Sequence, residues 1–210
     1  MTVPTKYSNI YIPVKSFLSS YRALSDGRRA ISLLETHTHE SSFLFSDWKI
    51  NWIAACTLLR SSIDLFQRDQ ASCLDEKIRD EIRNEWHAIK GDKESHSIFW
   101  DFLRKERDSI IHHYEWPAYE VWMDENEQYR PARISIADLR LENEKNVLLM
   151  KSGRFKGKDS VELLGSAGTW VEDRIFSAIR RAGYSPDEER NIVNFSKRQK
   201  AGPTLLSGEI

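Results

Sequence analysis

The 210-residue sequence predicts a mainly α-helical protein: an up-and-down helical bundle, a small antiparallel β element and a C-terminal helix. Three observations lead to this class. Apolar residues recur at helical spacing through most of residues 1–115, and the connections between these segments are short. After Pro117 the spacing changes to the alternation that is typical of β-strands. Helical spacing then returns between about residues 159 and 181.

The bundle is expected to contain four or five helices. A first helix is predicted for residues 14–24 and a second for residues 28–36, with a break at Asp26-Gly27. A long helix over residues 46–68 is apolar on most sides, which is typical of a central helix. Two further helices are predicted at residues 74–90 and 95–114.

The second half of the chain is predicted to be mixed. Strands are expected near residues 119–123, 134–136 and 147–150, where apolar and polar residues alternate or an apolar run occurs. We therefore place a boundary after the bundle of residues 1–116. Residues 117–210 would form a β-hairpin or sheet and a C-terminal helix that packs on the bundle. The tail from about residue 197 has little to bury and is expected to fray.

Composition excludes several classes of protein. Lys and Arg number 31 against 32 Asp and Glu, so binding of nucleic acid would require a local basic patch. Two cysteines, Cys56 and Cys73, are too few for a disulfide framework or a four-cysteine zinc site. The sequence shows neither a signal-peptide layout nor the roughly 20 apolar residues of a membrane span. We expect a cytoplasmic protein without a cofactor, a metal ion or a membrane contact.

The segment over residues 99–114 contains the candidate functional residues. On an ideal helix with about 100° per residue, Arg107 lies at the centre of an apolar stripe. This stripe consists of Trp100, Leu103, Ile110, Ile111 and Tyr114. A buried guanidinium needs a partner, and Glu81, Glu85 and Asp64 are the candidate carboxylates. The alternatives are a partner subunit and an anionic ligand, so Arg107 is either structural or part of a site.

The next candidate, His112, projects about 140° away from Arg107 on the same helix. The two side chains can converge if the helix ends near Ile111. They can also converge if Arg107 of one copy faces His112 of another, which builds a composite site across a two-fold dimer interface. A histidine at a helix C-terminus is otherwise explained by its favourable contact with the helix dipole.

The run Arg107-Asp108-Ser-Ile-Ile-His112 resembles the Arg-polar-x-x-x-His signature of HEPN domains. These are all-helical, usually dimeric proteins, many of which are metal-independent ribonucleases. The longer pattern Arg107-x4-His112-x-Tyr114 is similar to that of HEPN toxins from toxin–antitoxin pairs. In some pairs a nucleotidyltransferase antitoxin modifies the tyrosine, for which Tyr114 is the matching position.

The resemblance implies RNA as the substrate, and the residue types suit its cleavage. Attack by the 2′-hydroxyl needs a base, an acid and fixed positive charge at the phosphate. His112 would be the general acid/base, Arg107 the phosphate clamp, and Asp108 the group that orients a side chain or a substrate hydroxyl. His113 would be a second proton carrier, Tyr114 would stack a base or close the groove, and Arg104 would add positive charge. An antitoxin would be a second partner.

Two other functions are compatible with the same sequence. HEPN-like bundles also serve as non-catalytic nucleotide-binding or assembly modules, in which case Arg107 would be structural. Alternatively, the chain is a helical adaptor whose sheet, near residues 119–150, offers an edge to a partner strand.

Overall fold

The computed structural model describes residues 12–39, 45–73, 75–115, 117–131 and 145–189, and it confirms the mainly helical class. Five α-helices and a small antiparallel sheet lie within these ranges. A short 3₁₀ turn and a π-helical segment complete the regular structure described. In chain order the elements are the 3₁₀ turn Val14–Phe17, α1 (Ser19–His39), α2 (Phe45–Ser72), α3 (Glu76–Gly91), the π-helical segment Ile98–Leu103, α4 (Arg104–His112), β1 (Ala118–Met123), β2 (Tyr129–Pro131), β3 (Lys145–Met150) and α5 (Ser160–Arg181).

Helix α2 is the central element, as its composition predicts, and it contacts α1, α3, α4 and α5. Its core-facing side chains recur every three or four residues and are at most 1% exposed. They are Trp48, Trp52, Ala55, Cys56, Leu59, Ile63 and Phe66. The remaining surface of α2 is not all covered, since Ile50 is 65% exposed. Although α2 is 28 residues long, no helix in the described ranges is long and apolar enough to cross a membrane.

Helix α1 corrects the prediction of two helices separated at Asp26-Gly27, because it runs unbroken from Ser19 to His39. Gly27 faces α2, and a Cβ atom there would lie 3.1 Å from Cδ2 of Leu59. The glycine therefore allows the two helices to approach closely and does not end the helix.

The N-terminus of α1 is held by a carboxylate of α2. Asp69, which is 3% exposed, accepts hydrogen bonds from the backbone N–H groups of Ser19 and Ser20 at 3.1 and 2.9 Å. The hydroxyl of Ser20 donates to the same carboxylate at 2.6 Å. These contacts satisfy donors that have no partner within α1, so the start of α1 is tied to the end of α2.

The sheet has the order β2-β1-β3, with both pairs antiparallel. Strands β1 and β3 confirm the predictions for residues 119–123 and 147–150, and Val121 lies opposite Val147. The predicted strand at residues 134–136 and the tail from residue 197 lie outside the described residues. Strand β2 was not predicted. It follows a turn in which Asp124 accepts hydrogen bonds from the N–H groups of Asn126 and Gln128.

Helix α5 matches the predicted helix over residues 159–181 and packs against α1, α2 and α3. One hydrophobic core includes residues of α1, α2, α3, the π-helical segment and α5. An ionic cluster adds to this packing at α3. Glu85, which is 3% exposed, accepts hydrogen bonds from Arg174 at 2.8 Å and from Arg181 at 2.5 Å. Arg181 also donates to Glu81 at 2.7 Å.

The double substitution of Arg174 and Arg181 to Ala tests this cluster. It leaves the buried Glu85 carboxylate without a cation, so we expect the free energy of unfolding to fall by about 3 kcal/mol or more. Urea unfolding at neutral pH measures the change. Arg83→Ala, which removes an exposed pair with Asp80 on the same helix, should cost less than about 1 kcal/mol. Equal costs for the two changes would show that α5 does not depend on this cluster.

Candidate functional site

Buried aromatic and aliphatic side chains determine which side of the π-helical segment and α4, together called the motif helix, faces the core. Phe99 and Phe102 are 1% exposed and Leu103 is 0% exposed, so this side of the π-helical segment faces the core. Phe102 meets the ring of Trp52 on α2 edge-on, with 6.0 Å between the centroids. Residues three or four positions after Phe102 and Leu103 share their face of the helix. The inward position is therefore occupied by Glu106.

The prediction that Arg107 lies at the centre of the apolar stripe is wrong. Its side chain is 39% exposed. Tyr114, which helped to define the predicted stripe, follows the end of α4 and is 64% exposed. The stripe that is actually buried passes through Phe99 and Phe102, and it is rotated by about one residue from the predicted one.

Arg107 is paired with its neighbour in sequence. Nη1 of Arg107 lies 3.0 Å from Oδ1 of Asp108, and Nε of Arg104 lies 4.0 Å from the other oxygen, Oδ2. All three side chains are between 39% and 52% exposed. The Asp108 carboxylate thus lies between two guanidinium groups and orients Arg107 on the solvent side of α4.

The three carboxylates that were predicted as partners of Arg107 are paired elsewhere, which corrects that prediction. Glu81 and Glu85 bind arginines of α5. Asp64 forms an ion pair with Arg60 one turn away on α2. Glu81 and Glu85 are occupied because α5 places two arginines on the surface of α3. Helix α5 lies in the part of the chain that follows the predicted bundle.

The end of α4 presents both histidines and the tyrosine to solvent. The helix ends at His112, and the carbonyl of Ser109 accepts hydrogen bonds from the N–H groups of His113 and Tyr114 at 2.9 and 3.0 Å. Tyr114 has a φ of +53°, a left-handed conformation that bulky residues rarely adopt. His112 and His113 are exposed, with 6.3 Å between their ring centroids.

One chain does not bring Arg107 and His112 to a single point. Both belong to α4, whose last residue is His112, one position beyond the predicted end near Ile111, so both side chains project from helical backbone. Five positions along an α-helix separate the two side chains by about 140° around its axis. A phosphate bound by both groups would therefore need a second copy of the chain or a ligand that wraps around α4.

Glu106 is the residue that the sequence interpretation missed. Burial raises the pKa of its carboxyl group to about 7, and the nearby indole of Trp52 opposes this shift. Trp52 is close to the carboxyl group, although Oε2 of Glu106 and Nε1 of Trp52 have no hydrogen-bond partner among the described residues. A helical wheel centred on Phe99, Phe102 and Leu103 would have identified this position.

The same burial affects Cys56 on α2. Burial raises the pKa of its thiol well above the usual value, and the Glu106 carboxylate raises it further. The thiol is fully buried and remains protonated at neutral pH. Cys56 is thus a packing residue, as its position among apolar residues predicts.

Neither a metal cluster nor a known relative adds to this description. Among the residues that the structure describes, no three His, Cys, Asp or Glu side chains are grouped so that they could hold a metal ion. No protein-family model, curated protein or solved structure matches the chain. The case for a site therefore rests on the residues of α4 and their surroundings.

Glu106→Gln tests the buried carboxyl group through the pH dependence of stability. The folded state binds the proton of Glu106 more tightly than the unfolded state, so wild-type stability falls as the pH rises from about 4.5 to about 7. Glutamine does not titrate. We expect the stability of the variant relative to wild type to increase by about 2–3 kcal/mol between about pH 5 and pH 8.

Urea unfolding at the two pH values measures this change. Glu76→Gln is the matched control, because Glu76 lies in the first turn of α3 with a side chain that is 85% exposed. Its effect should not depend on pH to the same extent. A constant difference between wild type and Glu106→Gln would contradict the assignment.

Proposed function

We propose that this protein is a HEPN-like, metal-independent endoribonuclease, a toxin or defence protein that acts as a homodimer. The observation that carries the proposal is the position of Arg107. Of the carboxylates that would make it a structural residue, Glu81 and Glu85 are bound to arginines of α5 and Asp64 is bound to Arg60. Its guanidinium is instead oriented by Asp108 on the solvent side of α4, where a phosphate can reach it.

A local patch supports RNA binding despite the net charge of −1. We define the α4 surface as the half-buried or exposed side chains of Arg104, Arg107, Asp108, His112 and Tyr114. Cationic side chains in such a patch neutralise RNA phosphates even when the whole protein is close to neutral.

The residues of the α4 surface have separate roles in the proposed reaction. The 2′-hydroxyl of RNA attacks the adjacent phosphorus, and the bond to the 5′-oxygen breaks, which leaves a 2′,3′-cyclic phosphate. His112 is exposed, and an imidazole is a group that can accept or donate the protons of this step. Arg107 neutralises the charge that develops on the phosphate oxygens, and the 3.0 Å contact with Asp108 restrains its orientation.

The divergence of Arg107 and His112 on α4 supports a homodimer. In a two-fold dimer, Arg107 of one protomer can face His112 of the other, and two identical composite sites result. An antitoxin partner belongs to the same proposal. Tyr114 is 64% exposed, so its hydroxyl is accessible to a nucleotidyltransferase of the kind that modifies HEPN toxins.

The first experiment is RNA cleavage in EDTA by the purified wild type and two variants. We expect wild-type cleavage that leaves 2′,3′-cyclic phosphate ends. His112→Ala and Arg107→Ala should each reduce the rate by about 100-fold or more. Because both side chains are exposed at the surface, both variants should keep the fold, which circular dichroism and thermal unfolding check.

Two matched controls accompany this experiment. Arg83→Ala removes an exposed arginine of α3 that is paired with Asp80, and His87→Ala removes an exposed imidazole of the same helix. Both variants should cleave within a few-fold of wild type. If wild type cleaves no RNA but is stabilised by a nucleotide, the chain is a nucleotide-binding module. If the Arg107→Ala variant unfolds, the role of Arg107 is structural.

A mixing experiment tests the composite site separately. Arg107→Ala and His112→Ala chains are inactive alone, but a mixed dimer contains one site with both residues intact. Equal mixing and subunit exchange should restore about a quarter of wild-type activity, because half the dimers are mixed and each has one complete site. No recovery, with exchange verified by mass spectrometry of the dimers, would place both residues of each site in one protomer.

A further inference from the structure

Tyr114 has an unusual combination of features, and the inference drawn from it rests on the proposed function. Its backbone is left-handed, with a φ of +53°, and its N–H group donates to the carbonyl of Ser109 at 3.0 Å. The residue is nevertheless 64% exposed, so burial of the ring does not explain the strained backbone. Backbone strain of this kind clusters at ligand-binding sites.

A second element of the fold holds the ring in place. Lys49 belongs to the first turns of α2, and its Nζ lies 3.5 Å from the centroid of the Tyr114 ring. An ammonium group over a phenol ring is attracted by the negative charge of the ring face. Because Lys49 covers one face and the residue remains largely exposed, the opposite face is accessible to a ligand.

We propose that Lys49 and Tyr114 form a stacking platform for an unpaired nucleobase, so that the substrate of the α4 surface is single-stranded RNA. Aromatic side chains bind RNA by stacking on bases that are not already stacked and paired in a helix. Tyr114 is two positions from His112, which would place the phosphate beside the stacked base near the proposed general acid/base. Lys49 is a positioning residue in this arrangement, because it acts through the orientation of the ring.

Binding to a His112→Ala protein tests the platform without cleavage of the probe. The probes are a fluorescein-labelled single-stranded RNA of about 12 nucleotides and the same strand in a duplex, measured by fluorescence anisotropy. We expect Tyr114→Ala to weaken binding of the single strand by about tenfold, and Tyr114→Phe to preserve it. The duplex should bind at least about tenfold more weakly than the single strand and be insensitive to both changes.

Lys49→Gln tests the positioning role. It should weaken binding of the single strand several-fold in the presence of Tyr114. It should have no further effect in the Tyr114→Ala protein, because the residue through which it acts is absent. Lys90→Gln and Tyr129→Ala are matched controls. Lys90 lies over the ring of Trp86, and Tyr129 is 54% exposed on β2. Neither change should alter binding.

Each contrary result has a distinct meaning. Unchanged binding in Tyr114→Ala, or equal affinity for the duplex, would overturn the platform even if the wild type cleaves RNA as proposed. Additive losses from Lys49→Gln and Tyr114→Ala would overturn the positioning role of Lys49. If the wild type neither binds nor cleaves any RNA, the proposed function fails together with this inference.

Discussion

The packing of Phe102 and Leu103 against α2 determines which side chains of α4 reach solvent. Each residue of an α-helix advances by about 100°, so two buried positions define the direction of all the others. Glu106 is directed to the core, whereas Arg104 and Asp108 face solvent and Arg107 lies at the boundary. The structure keeps this arrangement although, among the described residues, no cation is paired with the buried carboxyl group of Glu106.

Two groups of charged residues in the bundle have different roles. In the first, Arg174 and Arg181 of α5 neutralise carboxylates of α3, one of which is buried. In the second, Arg104 and Arg107 share the single carboxylate of Asp108 at the surface of α4. The first group contributes to the packing of α5 on the bundle. The second contributes little to stability, since exposed ion pairs rarely do, and it is free to serve a ligand.

The helices and strands that could be predicted from the sequence are those in which apolar residues recur at a clear helical or strand spacing. Helices α2 and α5, strand β1 and strand β3 occur close to the predicted residues. The break at Asp26-Gly27 was wrong because glycine has two roles in helices. Local sequence alone cannot distinguish an end of a helix from a close approach to a neighbouring helix, which here depends on Leu59.

The residues of the candidate site were chosen from the sequence, but the direction of their side chains could not be predicted from it. Two apolar stripes compete on the motif helix, one through Trp100 and Tyr114 and the other through Phe99 and Phe102. The choice between them depends on where the helix ends and on contacts with Trp52, neither of which the local pattern contains. The counter-ions of Glu81 and Glu85 were also inaccessible to local reasoning, because they come from positions about 90 to 100 residues further along the chain.

The Asp69 carboxylate that caps α1 has a consequence for the order of events during synthesis. Helix α1 leaves the ribosome before the end of α2, so its first turn initially lacks the acceptor for the N–H groups of Ser19 and Ser20. Those groups must bind water until residue 69 has emerged and α2 has folded back. Helix α1 therefore reaches its final form only together with the complete α2, and the two helices mature as a single hairpin in the nascent chain.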